Sequence, residues 1–258
     1  MTGDVDLSRW LGGQVLFITG GSAGIGRTTA KVAARNGMKV VVAARRADEC
    51  QRVVKEIVST GGDAVHAVVD VTDEEQVAAA IDLTVSTYGR IDCAFNNAGV
   101  STGGSIVDLE VSEFDEVMNV NARGLFLCMK HELRQMRAQG AGAIVNNISV
   151  HGLRTVFPGV GAYTASKHAA VALTRAATIE NAGIGLRVNA VAPGPIDTDM
   201  LRSTAATNPV VAGWPQMVPA GRVGTPDEVA VTVMYLLSDL SGYVNGQVIG
   251  VDGGFLAL

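Results

Sequence analysis

Tyr163 and Lys167 stand four residues apart in the stretch YTASK at 163–167, a spacing that on a helix projects both side chains from one face. An ammonium beside a phenol favours the phenolate and lowers the phenol pKa from about 10. That makes tyrosine a workable general acid or base near neutral pH. Ser149, 14 residues upstream, falls at the C-terminal end of a predicted strand, the end at which open α/β sheets bind ligands. Its hydroxyl can hydrogen-bond a substrate oxygen and stabilise negative charge developing there. Each feature alone has a plainer reading. A Tyr/Lys pair at this spacing is ordinarily a solvated helix face, and a strand-end serine is ordinarily a turn former.

A second stretch, ITGGSAGIG at 18–26, admits two chemistries. Its residues 20–24 fit G-x-S-x-G, the turn that exposes a nucleophilic serine, here Ser22, in α/β-hydrolases. That chemistry needs an acid and then a histidine later in the chain. The histidines are His66, His131, His151 and His168, so the last 90 residues hold none. The same stretch fits a glycine-rich turn between strand and helix that cradles a diphosphate. Gly20 permits the tight turn, Gly24 lets backbone approach a ligand, and Gly26 lets the helix pack close to the strand. The spacing Gly20-x-x-x-Gly24-x-Gly26 departs from plain G-x-G-x-x-G, so an ordinary tight turn remains open at this point.

The elements that must position these residues are legible in the alternation of the chain. Seven short apolar runs rich in Val and Ile, at 14–20, 38–44, 63–70, 90–97, 142–149, 185–193 and 247–254, suit strands of a parallel sheet covered on both faces. Helix signatures lie between them. Thr72-Asp73-Glu74-Glu75 reads as a capping box with Gly89 as its stop, and Thr225-Pro226-Asp227-Glu228 adds proline at the first helical position. Long helices are expected over 112–139 and 160–182. The pattern predicts an α/β fold, a doubly wound parallel sheet of Rossmann type with helices on both faces. With no linker, repeat or low-complexity tract, residues 1–258 read as a single domain that includes the catalytic site.

With 258 residues, 48% of them hydrophobic and 17% charged, the chain is long enough for one large core. A net charge of −5 argues against a general nucleic-acid or anionic-membrane binder. Cys50, Cys93 and Cys128 are far apart and odd in number, which predicts reduced, buried thiols and no metal site. The first ten residues lack the apolar core of a secretory signal, and no apolar run is long enough to span a bilayer. A cytoplasmic protein is expected.

Taken together, the motifs carry a resemblance. T-G-x-x-x-G-x-G at 19–26, N-N-A-G at 96–99, N-V-N at 119–121, Ser149, Y-x-x-x-K at 163–167 and V-N-A-V-A-P-G at 188–194 occur in this order. The chain resembles the short-chain dehydrogenase/reductase family over about residues 12 to 254. The resemblance implies hydride transfer between a nicotinamide and a secondary alcohol or ketone. Tyr163 would pass the proton to or from the substrate oxygen, Lys167 would lower its pKa and hold the nicotinamide ribose, and Ser149 would position the reacting oxygen. Asn121 would hold a water in a proton relay from Lys167, which would explain an asparagine inside a long helix, where its amide competes with backbone bonds. For the cofactor, the resemblance implies contacts from Gly20, Ser22, Gly24, Ile25 and Gly26, from Asp70 and Val71 beside the adenine, and from Asn97 and Gly99. Pro193, Gly194, Ile196 and Thr198 would meet the nicotinamide end. Helices 112–139 and 160–182 would pair between subunits in a homotetramer.

The end of the second strand bears on the choice of cofactor. Ala44 stands where NAD enzymes of this kind usually place an acid, and Arg45 and Arg46 follow it. With no carboxylate to repel it, a 2′-phosphate can take a charge-assisted fork from a guanidinium. NADP(H) is therefore favoured over NAD(H). The segment 198–224, which would cover the substrate, holds Met200, Leu201, Val210, Val211, Trp214, Met217 and Val218 with few charges, as suits a small or cyclic apolar alcohol or ketone. His151, Arg154 and Phe157 are further candidates for the lining. A 3-oxoacyl-thioester reductase of the same family and a non-catalytic dinucleotide sensor are the alternatives.

Overall fold

The computed structural model of the chain describes residues 6–207 and 213–257. All seven apolar runs form strands: β1 (Val15–Thr19), β2 (Lys39–Ala44), β3 (Asp63–Val68), β4 (Cys93–Asn96), β5 (Gly142–Asn147), β6 (Leu186–Pro193) and β7 (Val248–Val251). They make one parallel sheet in the order β3-β2-β1-β4-β5-β6-β7. Most strands stop one or two residues before the apolar run does. Gly20, Asn97 and Ser149 lie just beyond the ends of β1, β4 and β5, where the chain leaves the ladder. The chain winds outward from β1 through β2 to β3, then returns to β4 on the other side of β1. The crevice at this reversal is where such sheets bind ligands.

Alternation along β1 sends Leu16 and Ile18 to one face and Phe17 to the other. The first face packs with Ala30 and Ala33 of α2 (Gly24–Arg35), after the short α1 (Ser8–Leu11), with Cys50 and Val53 of α3 (Ala47–Ser59), and with Val229 and Val233 of a later helix. The second face packs with Val77 and Ile81 of α4 (Glu74–Tyr88) and with Leu127 and Met136 further along the chain. All three cysteines are free and buried.

The helix expected over 112–139 is interrupted. It runs as α5 (Val111–Met118), a π-helical segment over Asn119–Gly124, and α6 (Leu125–Gln139). Single π turns within helices often mark functional positions, and Asn121 sits in this one. The helix expected over 160–182 is α7 (Gly161–Asn181). After it come α8 (Asp199–Thr207), α9 (Trp214–Met217) and α10 (Pro226–Leu237). The Thr225–Glu228 capping box forms as read, and Gly89 ends α4 in the left-handed conformation at φ 84°. The start of α4 differs from expectation. Asp73, not Thr72, caps it, accepting from the amides of Glu75 and Gln76, while the Thr72 hydroxyl turns back to Asp70 at 2.8 Å. A carboxylate one residue closer to the helix reaches those amides without the hydroxyl.

Behind β4 and β5, a buried polar group ties the two strands that lead into the crevice. Asn96 Nδ2 donates to Glu132 Oε2 at 2.8 Å and to Asn146 Oδ1 at 3.1 Å, and Asn146 Nδ2 donates to Thr174 Oγ1 at 2.9 Å. Glu132 is fully buried, its Oε1 has no partner, and burial pushes its carboxyl up to about 7. A carboxyl raised in the fold contributes stability that is fully present below its unfolded value near 4.5 and is lost as pH rises through about 7. Glu132→Gln removes that titration. The variant's melting temperature should therefore rise relative to wild type between pH 5 and pH 8, by an amount on the order of 1–3 kcal/mol of stability. A difference that stays constant across this range would show that Glu132 does not titrate in it.

Candidate active site

The glycine turn is built by close packing. A Cβ on Gly26 would fall 2.3 Å from Gly20 O and 2.5 Å from Asn97 Nδ2, so the first turn of α2 sits against the turn with no room for a side chain. Gly24 opens α2 at φ +50°, a conformation that L side chains rarely adopt. No side chain caps α2, which leaves its N-terminal amides and dipole available to an anion.

From this turn a chain of hydrogen bonds runs across the sheet ends. Thr19 Oγ1 accepts from the amides of Asn97 and Ala98 at 3.1 and 3.2 Å, and Asn97 Nδ2 donates to Gly20 O at 3.0 Å. Asn97 Oδ1 accepts from Asn147 Nδ2 at 2.8 Å. The Asn147 carbonyl in turn accepts from Lys167 Nζ at 3.0 Å. Asn121 stitches the loop after β4 to α7. Its Oδ1 accepts from Val100 N at 2.8 Å, and its Nδ2 donates to Val100 O at 2.8 Å and to Ser166 Oγ at 3.0 Å. Both N–H groups of its amide are thus engaged by protein groups, while its Oδ1 uses one of two acceptor positions.

Ser149, Tyr163 and Lys167 come together at the end of β5 and the first turns of α7, as the four-residue spacing predicts. A Ser149 hydrogen bond to the Tyr163 side chain holds the phenol below where burial alone would put it, but burial prevails and raises it. Lys167 Nζ lies 5.5 Å from the Tyr163 ring centroid, and burial pushes its ammonium down to about 8. The expected lowering of the phenol by Lys167 is therefore not seen in the folded chain: burial raises the phenol, and only Ser149 acts against it. Lys167 is buried and Tyr163 half-buried, which disfavours either charge, and the ammonium is directed at the Asn147 carbonyl.

These groups line one cleft of about 1090 Å³. At one end are Gly20, Ser22, Gly24 and Ile25, with Arg45, Arg46, Asp70 and Val71 at the ends of β2 and β3. Asn97 and Gly99 form the floor, and Pro193, Gly194, Ile196 and Thr198 lie after β6. Ser149, His151, Tyr163 and Lys167 close the other end with Met200, Leu201 and Trp214. Several expected residues stand outside this lining. Gly26 and Asn121 act from behind it. Phe157 is buried and stacks on Trp214 at 4.8 Å between ring centroids. Arg154 and Met217 are exposed at the surface. Their places follow from the chain's path: Arg154 comes just after the short turn at 150–152 that buries His151, and Met217 ends a single-turn helix. Val210 and Val211 lie outside the described residues.

Asn147 escaped the sequence reading, and Thr19 entered it only as the first residue of the T-G-x-x-x-G-x-G motif, though both position the set. The only sequence signal for Asn147 is a pair of asparagines, Asn146-Asn147, ending an otherwise apolar strand. As for Ser22, the one histidine lining the cleft among the described residues is His151, whose ring packs edge-on against Tyr163 at 5.9 Å. Among the described residues no group of three or more His, Cys, Asp or Glu could hold a metal, and no helix is long and apolar enough to cross a membrane.

Comparison with known proteins agrees with this geometry. A family model described as enoyl-(acyl carrier protein) reductase matches residues 19–256. Cyclohexanol dehydrogenase of Acinetobacter sp. (strain SE19) is 37% identical over 250 residues, covering 96% of this chain and 97% of its own. The 3-oxoacyl-(acyl-carrier-protein) reductase of Thermotoga maritima is 38% identical, over 95% of this chain and 99% of its own. The crystal structure of levodione reductase superposes with a TM-score of 0.92 at 36% identity, covering 95% of this chain and 98% of that one. A glycine turn at β1, a Ser149–Tyr163–Lys167 set after β5 and similarity along nearly the whole chain lead to one conclusion: the protein belongs to the short-chain dehydrogenase/reductase family.

Proposed function

We propose that the protein transfers a hydride between a nicotinamide dinucleotide, preferably NADP(H), and the reacting carbon of a small cyclic secondary alcohol or ketone. One observation carries this reading: Ser149, Tyr163 and Lys167 close one end of a continuous cleft whose other end is the glycine turn. The residues fit a dinucleotide, because the side-chain-free packing at Gly26 and the uncapped α2 make an anion cradle. Gly20, Ser22, Gly24 and Ile25 would hold its diphosphate, Asp70 and Val71 its adenine, and Ile196 and Thr198 its far end. When bound, that group supplies or accepts the hydride.

The chain's own residues supply the rest. Tyr163 Oη moves the proton to or from the substrate oxygen. Ser149 Oγ, hydrogen-bonded to the same phenol, holds that oxygen and steadies charge developing on it. Lys167, fixed by the Asn147 carbonyl, provides the positive charge that favours transient phenolate. Asn121 keeps the loop after β4 and α7 in register through Val100 and Ser166, and its place in the π turn beside them suits a relay of protons through water. In this reading a single domain carries both cofactor and substrate sites, with part of 198–224 as the cover.

The apolar wall of Met200, Leu201 and Trp214 and the cyclohexanol dehydrogenase relative support a cyclic substrate. The Thermotoga maritima relative supports a 3-oxoacyl thioester as the second reading. Following absorbance of reduced nicotinamide against cyclic ketones, cyclic alcohols and an acetoacetyl thioester separates the two. Turnover confined to the thioester would replace the first reading with the second, and no turnover with any of them would favour a dinucleotide sensor. A homotetramer is part of the same proposal. Phe114 and Phe126 on the α5–α6 helix and Ile179 on α7, which is 83% exposed, give those helices apolar outer faces suited to a second copy. Sedimentation equilibrium showing a monomer would reject it.

A further inference from the structure

His151 follows Ser149 by two residues, and its backbone N–H donates to Ser149 Oγ at 3.2 Å. Its ring lines the cleft and is only 3% exposed, yet neither Nδ1 nor Nε2 has a hydrogen-bond partner. Trp214 lines the same cleft, and its Nε1 is likewise buried without a partner. The rings form one cluster. His151 lies 5.9 Å from Tyr163 and 6.1 Å from Trp214, with Phe157 stacked against Trp214 and 5.9 Å from Phe255 behind it. Buried polar atoms nearly always find partners, so three orphaned nitrogens around one space call for an explanation. Packing alone would be served as well by carbon, without the cost of stripping water from these groups.

Charge narrows what the cluster accepts. Burial pushes the His151 imidazole down to about 4, so near neutral pH it is uncharged, with one donor and one acceptor nitrogen. The indole adds a second donor. The charged residues lining the cleft are Arg45, Arg46, Asp70, Lys167 and Asp199. Of these, Lys167 is bound to the Asn147 carbonyl, and Arg45, Arg46 and Asp70 sit at the ends of β2 and β3. Among the described residues the one cation lining the cleft beside these rings is Lys167, near Tyr163 and already bound to the Asn147 carbonyl, so the space at His151 and Trp214 suits a neutral oxygen better than a carboxylate or phosphate.

We propose that His151 and Trp214 form a second oxygen subsite, and that the substrate is a ring bearing a neutral hydroxyl or carbonyl besides the oxygen that reacts at Tyr163. This rests on the hydride-transfer reading above and adds the substrate's second functional group. Sites that hydrogen-bond a substrate oxygen reject analogues lacking it far more strongly than apolar pockets reject a missing methylene.

The test compares cyclohexanone with cyclohexane-1,2-dione and cyclohexane-1,4-dione. In wild type the better dione should exceed cyclohexanone in kcat/KM by about tenfold or more. His151→Leu should lower that ratio about tenfold. Trp214→Phe, which keeps a ring against Phe157 and deletes only the N–H, should lower it in the same direction, whereas His151→Gln, retaining a donor and an acceptor, should keep most of it. A wild-type ratio near one, or a ratio that survives both His151→Leu and Trp214→Phe, overturns the subsite. If His151→Leu fails to fold by circular dichroism, Trp214→Phe against His151→Gln decides. Failure to reduce any of the three ketones would count against the hydride-transfer reading itself. Calorimetric binding of cyclohexane-1,4-diol against cyclohexanol then tests the subsite separately, and equal affinities would overturn it.

Discussion

Tyr163→Phe should bind the nicotinamide cofactor nearly as wild type does and lose turnover by about 10²–10⁴-fold, the usual worth of a positioned proton donor. The substitution removes one oxygen and keeps the ring. The edge contact with His151 at 5.9 Å and the position of Lys167 Nζ over the ring at 5.5 Å do not need that oxygen. The phenol does lose its hydrogen bond with Ser149, a local cost in stability on the order of 1 kcal/mol, far too little to explain a catalytic loss of this size. The measurement is kcat with the best alcohol or ketone, alongside cofactor affinity by fluorescence. A Phe variant that keeps more than a tenth of wild-type turnover removes Tyr163 from the proton transfer. Loss of cofactor affinity in parallel with turnover would place the hydroxyl on the dinucleotide instead.

The sequence exposes the catalytic set and the sheet for one physical reason: both depend on short-range spacing. Continuous apolar runs mark β1 to β7, and the four-residue step of Tyr163 and Lys167 survives any placement of α7. What it hides depends on which strands become neighbours. Asn147 meets Asn97 only because β4 lies beside β5, and Thr19 reaches Asn97 only because β4 returns to β1. Neither contact leaves a local signature. Burial is hidden for the same reason, so the rise of the Tyr163 phenol could not be read from a neighbouring lysine. Arg154 and Met217 show the opposite failure: each lies about one turn from a residue of the cleft, Val150 or Trp214, yet is exposed outside the lining. At α4, the choice between Thr72 and Asp73 turned on a single residue of register, below what a capping pattern can resolve.

Arg45→Ala should raise KM for NADP(H) roughly ten- to more than hundredfold and leave KM for NAD(H) almost unchanged, if the cofactor's 2′-phosphate lies at the end of β2. Arg45 and Arg46 both line the cleft beside Ala44, the last residue of that strand, and neither forms an ion pair among the described residues. The acids around them do not pair with them: Asp48, nearest in sequence, forms no ion pair with either arginine among the described residues. Glu49, in the first turn of α3, is paired with Arg52 at 2.7 Å. Asp70, across the cleft end, is held low first by its Thr72 hydrogen bonds, with the charge of Arg45 adding to them. Its Oδ1 is occupied by the Thr72 amide and hydroxyl at 2.9 and 2.8 Å. A 2′-phosphate carries a charge of about −1.5 to −2 by comparison with phosphomonoesters. A charge-assisted bond to it contributes about 1.5–3 kcal/mol, which sets the range given. Ala44→Asp should push in the other direction, offering an acceptor to a ribose hydroxyl and repelling phosphate. Rising salt should erode the NADP(H) preference of wild type, because screening acts on the phosphate contact and not on the shared part of the cofactor. The decisive quantity is the wild-type ratio of kcat/KM for the two cofactors. A ratio favouring NAD(H) would return Arg45 and Arg46 to the solvated surface, and it would leave the chemistry of Ser149, Tyr163 and Lys167 at the other end of the cleft untouched.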